Sequence, residues 1–135
     1  IEALSKIVSI VQAQVLYIPN RSDAHSDHRA VFSAIMACSK NFRYPFIEQI
    51  LMCEVISETD FAPILGENTF SPNYFIDISE VFIKKIEILK MFGSELLPYP
   101  MTRNQSAIEA LNRYRGTLIN AEYAEAFMSI KTIVR

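Results

Sequence analysis

Pro19-Asn20-Arg21-Ser22-Asp23-Ala24-His25-Ser26-Asp27-His28-Arg29-Ala30 holds both histidines of this 135-residue sequence. Two aspartates, Asp23 and Asp27, are interleaved with them. The apolar run Val15-Leu16-Tyr17-Ile18 leads in, and a helical pattern from Val31 leads out. The order is strand, polar turn, helix, and α/β folds carry their sites in such turns at the carboxyl ends of strands. Imidazoles with carboxylates close enough to orient them are the ingredients of a catalytic metal site. A solvated His-x-x-His pair is the plainer reading of the same residues.

Working outward, Ile1, Leu4, Ile7, Val8 and Val11 recur at helical spacing and predict an amphipathic helix to about Ala13. Val15 to Ile18 lacks alternation, as in a strand buried on both faces, and Pro19 ends it. The helix after the turn is expected from Ser26 or Asp27 to Ser39. Val31, Phe32, Ile35, Met36 and Cys38 leave it almost no polar face, which predicts a deep position. Asp27 in its first turn suits the positive end of the helix dipole. Ile50 to Ile56 reads as a second strand and Tyr74 to Ile78 as a third. Between them, Ser57 to Pro72 is a long irregular loop, uncommon in a compact domain unless it shapes a site.

Asp77-x-x-Glu80 resembles a capping box, with Ser79 as the competing cap, for a helix faced by Phe82, Ile86 and Leu89. Lys84, Lys85 and Lys90 on its other face read as solvated. Gly93 closes this helix, and Leu97-Pro98-Tyr99-Pro100 is extended. Thr102-x-x-Gln105 caps the last helix, and the tail from Ala121 to Arg135 carries a mixed pattern without an assigned element.

Composition excludes several classes. Apolar residues make up 50% and charged residues 21%, a balance no disordered chain has. The longest apolar runs are far short of a membrane span. A net charge of -2 without a basic cluster argues against a nucleic-acid surface. Cys38 and Cys53 in apolar surroundings suit buried thiols of a reducing, cytoplasmic compartment better than a disulfide or a metal pair. The sequence opens at Ile1 inside a helical pattern, without targeting composition, and residues 1–135 are read as the carboxyl-terminal portion of a single longer domain.

Asp23-Ala24-His25-Ser26-Asp27-His28-Arg29-Ala30 resembles the second signature of the LmbE/PIG-L family of zinc-dependent N-deacetylases. Ser26 stands where that family most often has proline. Ser71-Pro72-Asn73-Tyr74-Phe75-Ile76-Asp77-Ile78 is similar to the family's strand after its variable loop. Gly116 and Tyr123-Ala124-Glu125-Ala126-Phe127 resemble its closing signature.

The resemblance implies an α/β, Rossmann-like layered fold with a mostly parallel sheet, present here as an incomplete portion. It implies one zinc per complete site, with His28 as the ligand given by this motif. His25 would be an acid or oxyanion stabiliser, positioned by Asp27 or Asp23, with Asp27 counted as catalytic. Arg21 and Asp23 are the expected substrate contacts, and the substrate would be an N-acetylated sugar or sugar conjugate. The family's early His-Pro-Asp-Asp-Glu segment, which gives two further ligands and the base, does not occur in these residues. The 135 residues alone are therefore not expected to turn over substrate. The competing expectation is a non-catalytic binding or oligomerisation module of the same fold, with the apolar loop from Phe61 to Phe70 as its interface and a homo-oligomer as one outcome.

Overall fold

The computed structural model describes residues 1–135. Four helices and four strands follow in the order α1 (Glu2–Val11), β1 (Val15–Pro19), α2 (Ser26–Ala37), β2 (Gln49–Cys53), β3 (Tyr74–Asp77), α3 (Phe82–Met91), α4 (Gln105–Thr117) and β4 (Ala124–Thr132). The strands form one mixed sheet in the order β1-β2-β4-β3. β1 pairs with β2 in parallel, Val15 opposite Gln49 and Pro19 opposite Cys53. β4 pairs with β2 antiparallel, with a register shift at Ile50/Leu51. The α/β class thus holds, but the mostly parallel sheet expected from the sequence does not. The β1–α2–β2 crossover is the parallel part. The antiparallel part comes from β4, in a tail whose mixed pattern was read as no element.

The chain divides into two compact units, one of Ile1–Asn73 with Phe127–Arg135 and one of Tyr74–Ala126. The first unit contains the histidine turn. Its core gathers Val8, Ile18, Ile35, Cys38, Tyr44, Ile47, Ile50 and Met52. Ile47, Ile50 and Leu51 are fully enclosed. Burial of each such side chain contributes about 1.5–3 kcal/mol relative to exposure. β2 is the central, buried strand, whereas β1 lies at the sheet edge with Val15 and Tyr17 exposed. The expectation that β1 is covered on both faces is therefore corrected: Ile18 is buried on one face, while Val15 and Tyr17 on the other are exposed.

α2 packs against β1 and α1. Ile35 is its one buried residue, and Val31 is 36% exposed. Its apolar side chains make it a one-sided surface helix, not the deep helix expected. The irregular segment after β2 contains a short 3-10 turn at Gly66–Asn68.

In the second unit, Phe82 stacks on Tyr123 with ring centroids 3.8 Å apart. Asn112 Nδ2 donates to the Ala124 carbonyl at 2.9 Å, tying α4 to the start of β4. Neither expected cap operates there. α3 starts after Val81 without a side-chain cap, while Asp77 accepts from the Ser79 N–H at 2.9 Å and forms a local turn. α4 is capped by Asn104, which accepts from the Ala107 N–H at 2.9 Å.

Candidate functional site

The turn begins where β1 ends. Pro19 closes the strand, Asn20 is buried, and its carbonyl accepts from the Asp23 N–H at 3.2 Å. Arg29, one turn into α2, donates from Nη1 to the carbonyls of Asp23 and Ala24, each at 2.6 Å. From the other side the loop after β2 reaches in, and Glu58 O accepts from the Ala24 N–H at 2.9 Å. The turn is thus held from the strand, the helix and the loop.

Asp23 is fully buried. Its Oδ2 lies 2.7 Å from His28 Nδ1, and its Oδ1 accepts from the Thr59 hydroxyl at 2.8 Å. Thr59 Oγ1 itself accepts from the Val55 N–H at 2.9 Å. A backbone amide only donates, so the Thr59 proton is directed to Asp23, and an ionised carboxylate there can only accept from His28 Nδ1. His28 in its neutral form then carries its proton on Nδ1 and a lone pair on Nε2. This is the arrangement by which a carboxylate orients a metal-ligating imidazole. The His28 side chain is 28% exposed, so it is not enclosed in aliphatic packing.

His25 is fixed in the opposite sense. It is the N-cap of α2, and its Nδ1 accepts from the Asp27 backbone N–H at 3.1 Å. Neutral His25 therefore carries its proton on Nε2 and presents a donor. The two rings lie 5.3 Å apart, tilted by 30°. One imidazole offers a lone pair and its neighbour offers a proton.

The other expected site residues fall around this pair. Asp27 holds His25 through its backbone, while its exposed carboxylate accepts only a long 3.5 Å contact from Ser26 Oγ. Of the two carboxylates considered for orienting His25, neither does so, and Asp23 serves His28. With both oxygens engaged and no exposure, Asp23 is placed to orient an imidazole and not to meet a substrate. Arg21 stands exposed in the turn. Asn20 Nδ2 is buried without a partner, a polar demand in the turn that these residues leave unmet.

Thr59 and Arg29 hold the histidine turn through hydrogen bonds, and the sequence reading did not single them out. Arg29 lay within the motif. Thr59 is 36 positions from Asp23, and no local spacing relates the two. A cavity of about 170 Å³ opens on the far side of Thr59, lined also by Glu54, Asp60, Pro63, Asn68 and Phe70, and by neither histidine. Lys85, read as solvated, pairs with Glu125 at 2.6 Å in the second unit, with Asn112 also accepting from Lys85.

These residues fit zinc at one ligand position, His28 Nε2. No group of three His, Cys, Asp or Glu side chains comes together to hold a metal ion. A three-ligand catalytic site is accordingly not formed within the 135 residues.

The fold is shared with solved structures. N,N'-diacetylchitobiose deacetylase from Pyrococcus horikoshii matches with a TM-score of 0.66 and 21% identity over 96% of this chain and 50% of that one. A conserved protein from Thermus thermophilus matches with a TM-score of 0.71 and 22% identity over 98% of this chain and 58% of that one. The chain spans about half the length of the first and 58% of the second, and at these identities the likeness is one of fold. No family model matches the sequence. No helix is long and apolar enough to cross a membrane.

Proposed function

We propose that the chain is the histidine-bearing portion of a zinc-dependent N-deacetylase that removes an acetyl group from an amino sugar or sugar conjugate. The observation that carries this reading is the opposed pair of imidazoles, His28 with its Nε2 lone pair set by Asp23 and His25 with its Nε2 proton set by the cap of α2. The deacetylase fold neighbour and the three ordered sequence signatures support the reaction class and the sugar. In this reading His28 holds zinc, and the two further ligands and the general base come from a part of the fold outside these 135 residues.

Amide hydrolysis needs an activated water, a stabilised oxyanion and a proton for the leaving amine. Zinc, when bound, supplies a Lewis acid and a water of lowered pKa. The residues of this chain do the rest of their share by orientation. Asp23 keeps the His28 lone pair outward. His25 Nε2–H donates to the oxygen that gains charge. Arg21, exposed at the mouth of the turn, is the side chain assigned to the sugar.

The test is acetate release from an N-acetylated amino sugar by the complete protein. His25→Ala should lower turnover by about 10²–10⁴-fold, as for a lost acid or oxyanion donor, with zinc content kept. A complete protein that takes up zinc but shows the same turnover without His25 would overturn the assignment. The alternative, a non-catalytic binding or oligomerisation module, draws on the exposed Phe61, Ile64 and Leu65 of the loop. It predicts neither zinc uptake nor acetate release.

A further inference from the structure

We propose that Thr59 is a positioning residue that sets the tautomer of His28, an inference that rests on the reading of His28 as the ligand. Thr59 lies outside the histidine motif, in the loop after β2, and touches neither imidazole directly. Its place in the hydrogen-bond chain is what matters. The Val55 N–H donates to Thr59 Oγ1 at 2.9 Å, the Thr59 hydroxyl donates to Asp23 Oδ1 at 2.8 Å, and Asp23 Oδ2 meets His28 Nδ1 at 2.7 Å. The chain starts at a group that can only donate, which directs the Thr59 proton to Asp23, and an ionised carboxylate can only accept from His28 Nδ1.

The loop is built to hold Thr59 there. The Glu58 and Thr59 N–H groups both donate to Val55 O, at 3.1 and 2.8 Å, closing a tight turn. Ser57 in that turn takes a left-handed conformation, φ 77°, which a non-glycine residue adopts only where its surroundings require it. The Ser57 N–H is then satisfied by Asp60 Oδ2 at 3.0 Å. Glu58 O accepts from the Ala24 N–H, so the loop meets the histidine turn at the Ala24 backbone as well as at the Asp23 side chain.

Asp23 is fully buried, so solvent cannot replace a lost partner. Without the Thr59 hydroxyl, Oδ1 would be a buried acceptor with nothing to accept, a costly state. The carboxyl group escapes by turning, which withdraws the acceptor from His28 Nδ1 and lets the proton move to Nε2, the atom that must keep its lone pair.

The experiment is ¹⁵N NMR of the imidazole nitrogens at alkaline pH, in protein freed of metal by a chelator. Wild-type His28 should show a protonated Nδ1 and an unprotonated Nε2. In Thr59→Val and Thr59→Ala the two His28 signals should move toward each other as both tautomers populate. Thr59→Ser, which restores the hydroxyl, should return them to their wild-type positions. Asp60→Ala, which weakens the same loop without touching Asp23, should leave the His28 signals in place. Backbone amide spectra identify which variants are folded, and Val and Ala each give the reading independently.

Folded Thr59→Val or Thr59→Ala protein with an undisturbed Nδ1–H tautomer would overturn the proposal. So would Asp60→Ala shifting the signals as far as Thr59→Val does. The functional reading fails separately: complete protein that takes up no zinc would sink it while leaving the tautomer result standing.

Discussion

Two histidines three positions apart are oriented differently because different atoms hold them. His28 is fixed by the Asp23 carboxylate, His25 by a backbone amide at a helix cap. The carboxylate partner of a ligating imidazole tunes both its orientation and its basicity. Asp23→Asn keeps the shape of the side chain but removes the charge. It should weaken zinc binding by the complete protein by about 10–100-fold, read by competition with a chromophoric chelator. Unchanged affinity would mean that His28 does not act through Nε2. The histidines and aspartates of the turn were legible as a group, because they crowd one polar stretch between a strand and a helix. Which aspartate serves which histidine was not. Asp23 is five positions from His28, and only the path of the turn brings them to 2.7 Å.

At the scale of elements, the short-range signals located helices better than their ends. α1, α2 and α3 lie where their apolar periodicity put them, but α4 ends at Thr117, short of Leu118 and Ile119 that share its apolar spacing; Asn104 caps α4 in place of Thr102, and Asp77 and Ser79 form a turn in place of a cap. Asn104 also donates to Met101 O, so one side chain closes the turn and starts the helix. Asn104→Ala should cost about 1 kcal/mol in denaturant unfolding. The Ser79 hydroxyl first, and its N–H second, hold Asp77 below the usual carboxylate range. A depressed carboxyl group contributes stability above its unfolded value, and that contribution is lost as pH falls through the folded value. Ser79→Ala removes the larger cause, so the Asp77 midpoint should rise in an NMR titration; an unmoved midpoint would refute the assignment. β4 was not read from the sequence. Its alternation starts well at Ala124, Glu125 and Ala126, then breaks as both Ala126 and Phe127 are buried and the register shifts near Ser129. Gly116, noticed only as part of the closing signature of the resemblance, has a steric role that the structure shows. A Cβ there would lie 2.6 Å from Ala121 O, where the chain turns back from α4. Gly116→Ala should therefore destabilise by about 1–3 kcal/mol, the range of overpacked sites.

At the scale of the whole molecule, the β1–α2–β2 crossover was visible because a helix pattern lies between two apolar runs. The mixed character of the sheet was not, because it depends on the one strand that the pattern missed. The edge position of β1 has a consequence. Ile7, Ile10 and Val11 of α1 and Tyr17 of β1 are each more than half exposed, an apolar surface that further strands and helices of an α/β fold would cover. The 135 residues in isolation should bind a dye for exposed apolar surface and self-associate as concentration rises, which light scattering would follow. A cooperatively melting monomer without a dye signal would favour the self-sufficient binding module instead. The central claim, that His28 is the zinc ligand and His25 its proton-donating neighbour, is tested most directly by metal content. Zinc per molecule should be measured in the complete protein, in His28→Ala and in His25→Ala after identical dialysis. The account predicts about one zinc in the wild type, severe loss in His28→Ala and retention in His25→Ala. Equal loss in both variants, or none in His28→Ala, would contradict it.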